Sequence, residues 1–259
     1  MPNPIFANLP TTIFEVMSGL ARETGAINLG QGFPDDPGPE VVRRKAAEAV
    51  LDGYNQYPPM TGLPVLREAV ANHYRRRQGL DLDWPREVTI TSGATEAITA
   101  SLLALIQPGD EVVLFQPVYD SYLPIVRLAG GIPRLARLSP PHWRFDRAML
   151  EGVFSDRTRL VVINSPLNPA AVVFPAEDLA LLAEFCVAHD AVAVCDEVWE
   201  QVVFAPHVHR SLLTFPRSCE TTFRTNVAPA RIPSPATRMR SRSCCVLPPL
   251  GSSGSPPNS

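Results

Sequence analysis

From Val88 to Asp196 short apolar runs take turns with amphipathic stretches, in a strand, turn, helix rhythm. "EVTI" runs into "TSGATEAITASLLALI", and "EVVLF" into "QPVYDSYLPIVRLAGG". "PRLARL" follows as a short strand, then "FDRAMLEGVF" as a helix. "RLVVIN" leads through "SPLNP" to the helix "AEDLALLAEFCVAHD". The last run, "AVAVCDEVWEQVVF", carries apolar residues straight into Asp196 and Glu197. Apolar runs without polar alternation read as strands buried on both faces. Their alternation with helices predicts an α/β fold, a mostly parallel sheet flanked by helices.

The flanking regions read differently. "IFEVMSGLA" places Ile13, Phe14, Met17, Leu20 and Ala21 on one helical face, with Gly25 as a stop. "INLGQGFPD" holds too many Gly and Pro for a regular element. "PEVVRRKAAEAVLDG" and "LPVLREAVANHYRRRQG" each read as a helix, ending near Gly53 and Gly79. After Pro216 neither period survives. Ser, Pro and Gly supply 17 of the 43 residues 217–259, a composition that predicts a disordered tail.

Composition narrows the class. A hydrophobic content of 45% is ample for a core, the mean hydropathy is +0.02, and no run approaches a membrane span. The start, "MPNPIFANLP", lacks the features of a secretory signal. The five cysteines show no paired framework, which points to a reducing, cytoplasmic setting. The net charge is −3; six Arg against one Glu in 217–259 leave −8 on residues 1–216. The body therefore has no basic footprint for nucleic acid.

Three predicted strand ends carry the candidate chemistry. "TITSGATEAI" joins a strand to a helix through Ser92 and Gly93, leaving free N–H groups at the helix start. Such a helix start suits a phosphate, or is a plain turn; it is neither a Walker loop nor GxGxxG, which weakens a nucleotide-binding reading. In "NSPLNPAA", Asn164 and Asn168 either donate to a ligand oxygen or cap the turn. In "QPVYDSY", Tyr119 and Tyr122 either stack on a flat ring or join the core. Asp196 either caps the next turn or faces a cation. A ring-nitrogen cation about 3 Å away, at an effective dielectric near 20, would return roughly 5 kcal/mol of attraction. "HVH" at 207–209 is a weak metal signal without a ligand set around it, so no metal is expected.

A phosphate cradle, an Asn donor, an anion and a ring platform together suit pyridoxal 5'-phosphate. The motifs "NLGQGFPD", "YNQYPPMTGLPVLREAV", "SGATEA", "QPVYDSY", "NSPLNP" and "CDEVWE" occur in the order and spacing of a known family. Over about residues 5–216 the chain resembles the class I/II, fold-type I pyridoxal-phosphate aminotransferases, in particular their kynurenine/glutamine transaminase and methionine aminotransferase branch. The resemblance implies an N-terminal arm and partial small domain over 1–50 and an incomplete cofactor-binding large domain over 51–216. Residues 217–259 then form a disordered, out-of-family tail, the chain being truncated or frameshifted after about residue 216.

The resemblance also implies roles. The backbone around Gly93, Ala94 and Thr95 holds the phosphate, Tyr119 stacks on the ring, Asn168 bonds its 3-oxygen, and Asp196 pairs with the protonated ring nitrogen. Trp199 stands where many members have a tyrosine that contacts the 3-oxygen. Tyr57 matches the tyrosine that reaches the phosphate from the partner of a homodimer. Gly32, with Asn168, lines the substrate side. The implied reaction transfers an amino group from an amino acid to a 2-oxo acid; a cysteine-conjugate β-lyase is an alternative with the same cofactor. Two departures stand out. Ala170-Ala171 replaces the frequent Ser/Thr-Gly after "NP". The family's Schiff-base lysine is expected near residue 230, where the chain reads "NVAPARIPS", and its one lysine is Lys45. This chain is therefore expected to show little or no transamination, the alternative to an enzyme being a non-catalytic remnant that binds cofactor weakly.

Overall fold

The computed structural model describes residues 3–7, 9–32, 36–53 and 55–215, together with the backbone of 222–226 and 244–246. The chain divides into two units, Met1–Pro59 and Met60–Ser259.

Among its described residues the first unit holds three helices, α1 (Pro4–Ala7), α2 (Ile13–Thr24) and α3 (Glu40–Leu51). Thr12 caps α2 by accepting from the Glu15 N–H at 3.3 Å, and Gly25 closes it in the left-handed region at φ 67°. Pro39 precedes α3, whose Lys45 pairs with Glu48 one turn on. The apolar face expected on α2 forms, yet none of its residues is buried.

The second unit opens with α4 (Pro64–Gln78), started by Pro64 and closed at Gly79 with φ 68°. Arg67 on α4 fastens α5 (Trp84–Glu87) and β1 (Val88–Ile90). Its Nε donates to the Val88 carbonyl at 2.6 Å, and its Nη2 to those of Trp84 and Pro85 at 3.0 and 2.9 Å. A buried guanidinium is tolerable here because three carbonyls replace its water.

Next come α6 (Ala94–Leu105), β2 (Glu111–Gln116), α7 (Tyr122–Leu128), β3 (Ile132–Arg137), α8 (Arg147–Val153), β4 (Thr158–Asn164), α9 (Ala176–Ala188) and β5 (Val192–Asp196). Two strands from the tail, β6 (Thr222–Asn226) and β7 (Cys244–Val246), complete a seven-stranded sheet of order β1-β7-β6-β5-β4-β2-β3. The strands from β6 to β3 pair in parallel, while β7 runs antiparallel between β6 and β1. The periodicity of the tail had suggested no strands. The rest of 217–259, including 227–234 where the lysine was expected, lies outside the described residues, as does the expectation of disorder there.

Successive residues of the central strands feed opposite faces of the sheet. Val113, Phe115, Val161, Ile163, Ala193 and Cys195 pack with Leu150 of α8 and Leu182 of α9. Val112, Leu114, Leu160, Val162 and Val194 pack with Ile98 and Leu102 of α6 and Val126 of α7. Both faces are covered, so neither set of alternate positions can be polar, and the runs read as continuously apolar. The fold expected from the sequence, an α/β large domain with a mostly parallel sheet between helices, is the one observed.

Candidate functional site

The site sits at the carboxyl end of the central strands. Parallel pairing of β4 and β5 sets Asn164 directly beside Asp196. The Asn164 side chain then clamps both loops: Nδ2 donates to the Asp196 carbonyl at 3.0 Å, and Oδ1 accepts from the Asn168 N–H at 2.7 Å. The Ser165 N–H reaches the same Asp196 carbonyl at 3.0 Å. Asn164 thus takes the structural role that the sequence left open. It holds Asn168 in a tight loop closed by the Leu167 N–H to Val172 carbonyl bond at 2.7 Å. Ala171 adopts the left-handed region at φ 55° in this loop, which accounts for the glycine common at this place in the family that the sequence resembles.

Asp196 is 6% exposed. Its Oδ2 accepts from the Tyr122 hydroxyl, and its Oδ1 from the Val198 N–H at 3.3 Å. Burial pushes its carboxyl above the usual range, and the two donors only partly offset this. Tyr122, at the start of α7 and 3% exposed, is itself pushed well above the ordinary phenol range by burial and by the Asp196 charge. Tyr119 leans on it edge-on with centroids 5.6 Å apart, and burial raises Tyr119 as well, with Asp120 and Asp196 adding.

The third wall is the start of α6. Gly93, at φ 94°, is its N-cap, and the first-turn N–H groups after it have no carbonyl within the helix. Glu96 reaches back to accept from the Ser92 N–H, which fixes the turn. A cavity of about 140 Å³ lies between these walls, lined by Ala94, Thr95 and Ile98 from α6, by Tyr119 and Tyr122, and by Asn164, Asn168, Asp196, Val198 and Trp199. No lysine or arginine lines it among the described residues.

Six of the expected site residues, Ala94, Thr95, Tyr119, Asn168, Asp196 and Trp199, therefore meet in one cavity, and Gly93 shapes its edge. Tyr57 and Gly32 belong to the first unit, where both are exposed, Tyr57 at 99%. The contact from Tyr122 to Asp196 was not foreseen. Only the strand-to-helix position of "YDSY" hinted at it, since Tyr119 and Tyr122 are one helical turn apart.

The model of the family "Aminotransferase class I and II" matches residues 24–228. This chain belongs to the class I and II aminotransferase family. Among curated proteins it is 44% identical over 217 residues to the methionine aminotransferase of Escherichia coli (strain K12), covering 84% of this chain and 56% of the relative. It is 36% identical over 216 residues to human kynurenine–oxoglutarate transaminase 1, covering 78% of this chain and 51% of the relative. Among solved structures, N-succinyldiaminopimelate aminotransferase from Mycobacterium tuberculosis superposes with a TM-score of 0.86 at 39% identity, over 96% of this chain and 64% of that one. The chain spans about half the length of the curated relatives it matches. The family match reaches past residue 216 into the basic tail.

Aminotransferases of this family use pyridoxal 5'-phosphate, and the donor set here fits that group. The buried carboxyl of Asp196 on the cavity wall is of the chemistry that suits a protonated ring nitrogen. The start of α6 is of the chemistry that suits a phosphate, and Tyr119 adds an aromatic ring to the lining. No helix among the described residues is long and apolar enough to cross a membrane.

Proposed function

We propose that residues 60–215 bind pyridoxal 5'-phosphate and form the cofactor half of an enzyme that moves an amino group from an amino acid to a 2-oxo acid. The buried carboxylate of Asp196, facing a cavity that no lysine or arginine lines among the described residues, carries this reading. When bound, the cofactor supplies an electron sink for chemistry at the amino-acid α-carbon. The residues around it bind and orient. The first-turn N–H groups at Ala94 and Thr95 take the phosphate, and Tyr119 covers the ring. Asn168, steadied by Asn164, donates to the ring oxygen, and the indole N–H of Trp199 adds a donor on that side. Asp196 holds a proton on the ring nitrogen, and Tyr122 holds Asp196. Gly32 lines the substrate side, and Tyr57 reaches the phosphate of a partner chain in a cytoplasmic homodimer.

In the same reading, the 259-residue chain does not complete the reaction. Its one lysine, Lys45, lies on α3 in the first unit and pairs with Glu48, and an arginine cannot serve as the amine nucleophile in its place. The chain then leaves the family frame within the tail, whose composition changes after Pro216 and whose family match ends at residue 228. Sequencing the coding region past codon 216 tests that point: the expected result is a second frame that encodes S-x-x-K.

Titration of the purified full chain with pyridoxal phosphate, followed by tyrosine and tryptophan fluorescence, tests the binding. Saturable quenching is expected, reduced at least tenfold in affinity by Asp196→Asn. Equal affinity in the variant would remove the basis of the proposal. Borohydride should fix no pyridoxal in an Asp196-dependent manner, and cofactor-dependent turnover would overturn the inactive reading while leaving the binding reading intact.

A further inference from the structure

Next to the cofactor cavity, and unused by it, lies a second polar cluster. Glu197 and Glu200 stand three residues apart in the turn after β5, and His209 returns to them along the segment that follows. All three are buried, and one ligating atom from each lies within 4.8 Å of the others. The His209 side chain is 3% exposed, and neither of its ring nitrogens makes a hydrogen bond among the described residues. Its Nε2 points at Glu197 Oε1 from 3.6 Å. That is close to the edge of a tetrahedron drawn with zinc–ligand bonds of about 2.0–2.1 Å, roughly 3.4 Å. Behind Glu200, His73 of α4 contacts Oε1 at 2.7 Å. A ligating carboxylate is commonly fixed by a second partner of this kind. His207, the other half of "HVH", is exposed and takes no part.

We propose that Glu197, Glu200 and His209 form a structural site for a divalent metal ion of the zinc type, with His73 positioning Glu200. Two carboxylates and one imidazole make a three-residue N/O set with a fourth position for water. The ion ties the turn that directly follows Asp196 to the returning segment at His209, and through His73 to α4. It lies beyond the cofactor cavity, and its test does not depend on the cofactor.

The experiment strips the purified full chain with chelator, then adds zinc chloride alone and measures bound metal by equilibrium dialysis with elemental analysis. One zinc per chain is expected. His209→Ala and Glu200→Gln should each weaken binding at least tenfold, and His73→Ala by about tenfold, the scale seen for partners of metal ligands. His142→Ala, an exposed histidine, controls for adventitious binding and should leave it unchanged. Cobalt chloride added to the stripped wild-type chain should give the intense visible bands of a four-coordinate ion, a readout that no variant's folding affects. Substoichiometric zinc, affinity unchanged in His209→Ala and Glu200→Gln, loss only in the His142→Ala control, or a cobalt spectrum no different from the free aqueous ion would each overturn the site. A purely proton-sharing network of acids and histidines predicts the first of these.

Discussion

Replacing Asp196 tests the site at its centre, because the structure assigns this carboxylate a cost and a compensation. Its Oδ2 accepts from the Tyr122 hydroxyl and its Oδ1 from the Val198 N–H at 3.3 Å, both within the protein interior. A hydrogen bond to a buried charge contributes about 1.5–3 kcal/mol. Tyr122→Phe should therefore lower stability by about that amount in the wild-type background. In the Asp196→Asn background it should cost clearly less, for a coupling energy of about 1–2 kcal/mol in the double-mutant cycle. The pH dependence has a defined sign. Burial raises the Asp196 carboxyl in the folded state above its ordinary 3.8, so the folded chain binds this proton more tightly than the unfolded chain does. The stability of the wild type relative to Asp196→Asn is then greatest at low pH. It declines as pH rises from about 3.8 through the raised folded value and levels off above it. Urea unfolding of the four proteins between pH 4 and 8, without cofactor, measures both quantities. A coupling below about 0.5 kcal/mol, or a wild-type advantage that grows with pH, would refute the assignment of Asp196 as a buried acid awaiting a cation. Adding pyridoxal phosphate should then restore wild-type stability at neutral pH and leave Asp196→Asn unmoved.

Three further outcomes are expected. Glu111, buried at the start of β2, accepts from Ser155 Oγ at 2.7 Å and pairs with Arg157 and Arg134, and these contacts, the Ser155 bond first, hold its carboxyl below the usual value. Its stabilising contribution is thus present above about pH 4.5 and lost as pH falls through the lowered folded value, so the gap between wild type and Glu111→Gln in thermal melts should be wide at pH 7 and close in acid. At Gly62, φ is +99° and an added Cβ would lie 2.4 Å from Ile90 Cγ1; Gly62→Ala should cost about 2 kcal/mol or more by urea unfolding, and a neutral result would contradict the packing of β1. Ala171, at φ 55° in the Asn168 loop, should gain about 0.5–1 kcal/mol on Ala171→Gly, since glycine adopts that conformation without steric cost; a loss of stability would argue against the observed loop.

Much of this protein was legible before any coordinates. The apolar runs at Val112–Phe115, Leu160–Ile163 and Ala191–Cys195 marked doubly covered strands, because a strand between two helical layers has no face left for polar residues. Gly79 and Gly25 marked helix ends, because each needs a left-handed residue. The acid after Ala191–Cys195 marked a ligand site, because a charge at a buried strand end needs a partner. These are local signals, and short-range sterics and solvation are enough to write them into the chain. What the tertiary structure alone decided is convergence. Which strand lies beside β5 sets Asn164 next to Asp196, and nothing within either segment encodes that neighbour. The packing of α7 over β5 chose Tyr122, rather than a solvent molecule, as the donor to Asp196. The return of the chain after the β5 turn buried His209 against Glu197 and Glu200 while leaving His207 outside, although the two histidines sit two residues apart in one polar stretch. Two strands from the tail joined the sheet without any period of their own. Pairing with an existing strand edge needs backbone N–H and C=O groups, which every sequence except proline supplies.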